Sequence, residues 1–359
     1  MKKALACILM LAALLGMMAS SAGADQGRVT RTEVARLLGD RLFALEDASI
    51  ALERGHVFLM ARDRRTRQLE WFLLDPKAPR ILHQGKVPFQ VYQGVAVSPD
   101  AQTAVVQARF PTSLWVLSLT EGRWTCALPH SNPGRLALTS LSSLVYTDSG
   151  HAWSMMDRHD AQGYVIDSVL VRFATNPFTL TNQISLRDLL QRAIQVTSAN
   201  GQDYQINLVR FGKDGSCLFL LQSPASRSPR YLLRRNPDGN LQVLDKSEFG
   251  MIPLDYDPTN DRILYRAVQA GGPVLAMLSK GLRSIVSSRP LVGAALLDSK
   301  RIATIAVVEN QLEISAGIPG TPMRKFQTVT GIYRAAFLRN APRVVLWNAR
   351  EIRMVDLSE

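Results

Sequence analysis

The residues best suited to chemistry in this chain are arginines. Arg62, Arg64, Arg65 and Arg67 fall within six positions, and Arg227 and Arg230 form a second group. A guanidinium is planar, always charged and matched to the fork of a carboxylate or phosphate, so clustered arginines suit anion recognition. Both groups are expected in the loop between the second and third strands of a repeat. Equivalent loops emerge on one face, which would make that face an anion-binding surface. Asp63 interrupts the first group, and the competing reading is a solvated hairpin tip.

Two other groups carry donor atoms and fail on geometry. His151, Met155, Met156 and His159 have the side chains of a copper site. On a strand, however, His151 and Met155 lie about 13 Å apart, too far to share an ion. Asp255-x-Asp257-x-Thr259-Asn260-Asp261 has the spacing of a calcium loop, but Asn260 stands where that loop needs glycine and Arg266 where it needs a bidentate glutamate. A turn built on Asx hydrogen bonds fits these residues better. No Gly-x-Ser-x-Gly elbow, His-Glu-x-x-His pair or glycine-rich phosphate loop occurs. With five histidines in 359 residues, acid–base chemistry has few obvious carriers. No catalytic set, metal site or cofactor is read from the residues.

The elements that must hold these residues repeat. Turn centres fall at Gly55, Asp100, Ser142, Asp214, Asn260, Asp298 and Asn340, spaced by 38 to 46 residues apart from one interval of 72. Repeats of four short strands at this period predict an all-β, seven-bladed propeller. Blade 2 shows the pattern best: Tyr92–Val97, the turn Ser98-Pro99-Asp100-Ala101, the near-continuous apolar run Thr103–Ala108, then Leu114–Leu119 and Arg123–Leu128. The long interval is read as a helical insertion, 174–202, between blades 3 and 4. Ser185-Leu186-Arg187-Asp188 resembles a capping box there, ahead of the stripe Leu186, Leu189, Leu190, Ala193 and Ile194. At the other end, Thr30-Arg31-Thr32-Glu33 fits a capping box before Val34, Leu37 and Leu38, with Gly39 as the stop, so 25–39 reads as a short helix. The last repeat has three strands and Arg41–Leu45 has no blade of its own. Joining them would close the ring over 40–359 and remove an exposed edge.

Residues 1–24 read as a secretory signal: Lys2 and Lys3, the apolar run Ala4–Met18, and the small-residue site Ala22-Gly23-Ala24. The run is short of the roughly 20 residues a membrane span needs. Asp25 follows the cleavage site, where a lipoprotein would need cysteine. The mature chain is thus expected to be periplasmic or secreted, soluble and monomeric. The formal charge of +12 falls to +10 with Lys2 and Lys3 gone. In an exported protein this points to an envelope protein or an anionic polymer as partner rather than to nucleic acid. Cys126 and Cys217, in blades 2 and 4, are expected to be two buried free thiols.

Val95-Ala96-Val97-Ser98-Pro99-Asp100 followed by Thr103–Ala108 resembles the repeat core of WD40-like propellers of the TolB type, and Phe211-Gly212-Lys213-Asp214-Gly215 is similar. Blades 2, 4 and 5 carry the likeness. Ala101 replaces the family's glycine, the Trp-Asp dipeptide of true WD40 blades is absent, and about 15 residues leave no room for the TolB-type N-terminal domain. The Pal-binding role of that family is therefore not carried over. The resemblance implies an exported propeller. With no catalytic motif, the expected function is non-enzymatic binding or scaffolding in the envelope. The alternative is a propeller enzyme, of lyase or lactonase type, which would need polar groups converging from inner strands of several blades on the central channel.

Overall fold

Short β-rich runs joined by tight turns bury themselves by pairing with their sequence neighbours. A computed structural model shows how far this goes. It describes residues 29–33, 38, 43–51, 53–109, 112–128, 136–138, 144–146, 148–160, 162, 164–185, 188, 191–192, 205–211, 216–222, 230–247, 250–269, 272–331, 333–338, 341–348 and 350–358. The expected signal segment lies outside these.

Seven antiparallel sheets form the blades of a β-propeller. Blade 1 runs Phe43–Ile50, Val57–Asp63, Leu69–Asp75 and Arg80–Lys86, and blade 2 runs Tyr92–Val97, Thr103–Ala108, Ser113–Ser118 and Arg123–Leu128. Blade 3 has a split inner strand, with Leu136–Leu138 and Val145–Tyr146 both pairing with His151–His159, followed by Val165–Thr175 and Phe178–Ser185. Blades 4, 5 and 6 begin with Gln205–Phe211, Met251–Asp257 and Leu291–Leu296. Blade 7 holds Arg334–Phe337, Arg343–Trp347 and Glu351–Asp356, and Val29–Glu33 supplies its fourth strand.

The core lies between blades. One cluster joins Val57, Leu59 and Phe72 of blade 1 to Val345, Trp347 and Ile352 of blade 7. Another joins Phe58, Met60 and Trp71 to Val97, Ala104 and Leu117 of blade 2. Second strands are sandwiched on both faces, and every residue of Thr103–Ala108 is buried. Each fully buried Val, Leu or Phe contributes about 1.5–3 kcal/mol. Hydroxyl pairs tie neighbouring blades at matching places: Thr103 Oγ1 with the Tyr146 hydroxyl at 2.9 Å, and Ser216 Oγ with the Tyr256 hydroxyl at 3.0 Å.

Inner strands carry the feature that positions the site. In blades 1, 2, 4, 5 and 6 the register with the second strand slips by one residue, at Glu46, Gln93, Leu208, Leu254 and Val292. Such a bulge bends the strand and re-aims the side chains beside it.

Several sequence expectations change. Val29–Glu33 is a strand antiparallel to Glu351–Asp356, not the first turn of a helix. The local capping signal loses to a five-residue ladder that covers an otherwise open edge. Arg41–Leu45 is not the closing strand either, since Phe43–Ile50 is the inner strand of blade 1. The closure predicted for the ring is made, but one element earlier. Val34 and Leu37 lie outside the described residues, while Leu38 is buried between blades 1 and 7. Part of the expected insertion, Phe178–Ser185, is the outer strand of blade 3. Its exposed, polar face hid it from a hydrophobic pattern. Asp188, Gln191 and Arg192 are helical, and the Asp188 amide donates to Ser185 Oγ at 3.2 Å, as a capping residue requires. Leu186, Leu189 and Leu190 of the expected stripe and all of 193–202 are outside the described residues. Bends at Asp148–Gly150 precede the second strand of blade 3, and the expected turn centre Ser142 lies outside the described residues. Both described cysteines are free, but Cys126 is exposed and only Cys217 is buried. Among the described residues no helix is long and apolar enough to cross a membrane.

Candidate active site

Inner strands of blades 1, 2 and 7 begin at the same end of the ring. Each delivers polar groups to the mouth of the central channel there. Blade 1 supplies Glu46, the bulged residue, and Asp47 immediately after it. Blade 2 supplies Tyr92, the first residue of its inner strand, and blade 7 supplies Arg334, also a first residue. Arg62, near the end of the second strand of blade 1, sits in register with Ala44.

Arg334 Nη1 donates to Asp47 Oδ1 at 2.6 Å across the seam between blades 7 and 1, with 64% of the arginine side chain still exposed. The Ala48 amide donates to the same oxygen at 2.8 Å. Arg62 pairs with both oxygens of Glu46 and also donates to the Gln90 carbonyl at 2.7 Å and the Arg67 carbonyl at 2.9 Å. Tyr92 stands among these groups. Burial, then the Asp47 and Glu46 carboxylates, push its phenol far above the ordinary range, against the opposing pull of Arg62 and Arg334. Its hydroxyl therefore keeps its proton and faces the carboxylates as a hydrogen-bond donor. Carboxylates, a protonated phenol and guanidinium groups on three blades make an acid–base set with anion binders beside it.

Of the arginines singled out from sequence, Arg62 is half-buried in this mouth, not on a loop. Asp63 takes the Arg65 and Thr66 amides at 2.8 and 2.9 Å, which forms the turn that sends Arg64, Arg65 and Arg67 to the surface. Arg227 lies outside the described residues. Arg230 begins the third strand of blade 4 and is half-buried, so the structure does not show it on the expected loop. Glu46, Asp47, Tyr92 and Arg334 were missed because ring closure brings together residues far apart in sequence. The available signal was an acidic pair inside an otherwise apolar strand.

The remaining candidates are structural. Asp255 takes the Tyr256 amide at 2.8 Å and the Leu296 amide of the next blade at 2.7 Å, and Asp257 takes the amides of Thr259 and Asn260. These are Asx contacts, with Asp261 paired to Arg234. His151 and His159 stand at opposite ends of one strand. Among the described residues no three His, Cys, Asp or Glu side chains converge as metal ligands.

No protein-family model and no curated protein matches the chain. Solved structures do. The β-propeller domain of the trilobed protease from Pyrococcus furiosus, described as having an open velcro topology, aligns with TM-score 0.58 and 11% identity over 89% of this chain and 95% of that one. A prolyl endopeptidase aligns with TM-score 0.58 and 12% identity, covering 88% of this chain but 48% of its own. An oligogalacturonate lyase in complex with manganese aligns with TM-score 0.56 and 10% identity over 92% and 91%. The chain is a seven-bladed β-propeller. At these identities the likeness carries the fold, and the TolB-type assignment gains no support from it. The expected non-enzymatic scaffold is corrected by the same comparison, since these propellers belong to peptidases and a lyase.

Proposed function

We propose that this chain is a propeller enzyme of lyase type, acting at the channel mouth on substrates that carry a carboxylate and an oxygen leaving group β to it. One observation supports the reading above others: carboxylates, a raised phenol and guanidinium groups from blades 1, 2 and 7 converge on a single mouth. The substrate carboxylate would compete with Asp47 for Arg334. That exchange frees Asp47 to take the proton from the carbon between carboxylate and leaving group. The C–H and C–O bonds break, a carbon–carbon double bond forms, and Tyr92 protonates the departing oxygen. Solvent returns the proton from Asp47 to Tyr92. Arg334 stabilises the charge that develops on the carboxylate, while Arg62 is held by Glu46, Gln90 and Arg67 and positions the mouth.

The lyase supports this reading because the alignment with this chain covers 91% of it. Its manganese has no matching donor set among the described residues here, and no step runs through a metal. The net charge of +12 favours anionic substrates, and Arg64, Arg65 and Arg67 would steer them to the mouth. Residues 1–24 and the repeat-level similarity to TolB-type propellers support an exported enzyme.

The test follows the ultraviolet absorbance of the new double bond with β-substituted carboxylic acids, uronic-acid oligosaccharides among them. Asp47→Asn and Tyr92→Phe are expected to lower kcat by about 10²–10⁴-fold with the melting temperature held. Full activity in Asp47→Asn, or no elimination by wild type on any of these acids, overturns the proposal.

A further inference from the structure

Beside the charged mouth, between the connection that leads into blade 2 and the second and third strands of that blade, lies a cleft of about 250 Å³ whose lining includes Phe89, Gln90, Val91, Arg109 and Trp115. We infer that it is a subsite for one sugar ring of an acidic oligosaccharide. The inference rests on the lyase-type reading and names its substrate class.

The volume is below the roughly 300–1,000 Å³ that holds a drug-sized ligand, so the cleft admits a single ring. Its aromatic wall is built before anything binds. Phe89 lies 5.9 Å from Trp115, tilted by 46°, and 5.5 Å from Trp124, edge-on at 82°. Trp115 Nε1 donates to Ser113 Oγ at 2.9 Å and Trp124 Nε1 to the Lys86 carbonyl at 2.9 Å, so both indoles are held in place. The Arg109 amide donates to the Val91 carbonyl at 2.9 Å and ties the two walls together.

Phe89 and Trp115 make the apolar part of the lining, and the rim is polar. Gln90 and Arg109 are exposed there, and Val91 is 43% exposed. A sugar ring presents an apolar C–H face to aromatic groups and hydroxyls to an amide, and a uronic acid adds a carboxylate for a guanidinium. The cleft also communicates with the mouth through one segment: Gln90 accepts two hydrogen bonds from Arg62, and Tyr92 follows two residues later. A ring seated in the cleft would place its neighbour in the chain over Tyr92 and Asp47.

The experiment titrates the full chain with a galacturonic-acid trimer and with a neutral galactose trimer by calorimetry, and follows elimination of the acidic trimer separately. Wild type is expected to bind the acidic trimer more tightly. Trp115→Ala should weaken binding by about tenfold, Trp115→Phe should retain it, and Arg109→Met should erase the preference for acid, all with unchanged melting temperature. No binding by wild type, or equal binding by Trp115→Ala, overturns the subsite. Binding that depends on Trp115 without elimination keeps the subsite and removes the lyase reading. Elimination with a KM that Trp115→Ala does not move keeps the lyase reading and removes the subsite.

Discussion

Gly85 packs closely against Trp71 in blade 1. A Cβ there would stand 2.8 Å from Trp71 Nε1 and 3.1 Å from Cε2. Trp71 cannot retreat, because it is 1% exposed and stacked on Phe58 at 6.0 Å. Gly85→Ala should therefore destabilise the protein by about 1–3 kcal/mol through overpacking. Gly94, with nothing within 4 Å of its added Cβ, is the control, and Gly94→Ala should stay within about 0.5 kcal/mol. Urea denaturation of the two variants checks both values. The thiols divide in the same way. Burial pushes Cys217 up to about 12, so it is inert, whereas Cys126 is exposed. Alkylation of the native protein, mapped by mass spectrometry, should modify Cys126 well before Cys217.

At the scale of elements, legibility tracked burial. Second strands read clearly because both faces are covered, as in Thr103–Ala108, and turns read clearly because their chemistry is local. The Ser98 hydroxyl donates to Asp100 at 2.7 Å and accepts the Thr103 amide at 2.9 Å, as the Ser-Pro-Asp pattern implied. Outer strands were harder, since Phe178–Ser185 buries little and shows almost no alternation. The candidate site was hardest, because its local mark was no more than the acidic pair Glu46-Asp47, and Asp47 and Arg334 meet only through the ring. The strand that receives the closing one, Glu351–Asp356, has a further property that local pattern conceals. Glu351 is buried and accepts from Tyr333, Arg353 and Arg31. Burial alone would raise its carboxyl, but those donors outweigh it and hold the group below its usual range. A depressed folded-state value stabilises the protein above the unfolded value, about 4.3, and that stability is lost as pH falls through the folded value. The melting temperature should fall across this acid window, and Glu351→Gln should flatten the fall.

For the whole molecule the decisive feature is the seam between blades 7 and 1. Val29–Glu33 closes blade 7, Arg31 reaches Glu351, and Arg334 crosses to Asp47. The same seam thus closes the ring and forms the proposed site, which couples stability to function. A variant starting at Leu38 would leave Glu351–Asp356 with a row of unpaired amides and carbonyls, an edge prone to pair with other chains. Its blades 7 and 1 would keep their shared apolar cluster, so the fold should survive in a loosened form. The expected result is a melting temperature lower by several degrees, concentration-dependent association in sedimentation, and a drop in elimination activity. A synthetic peptide spanning residues 25–37 should reverse all three by refilling the edge. If the truncated chain stays monomeric with wild-type melting temperature and activity, the strand is dispensable and the seam does not hold the ring closed.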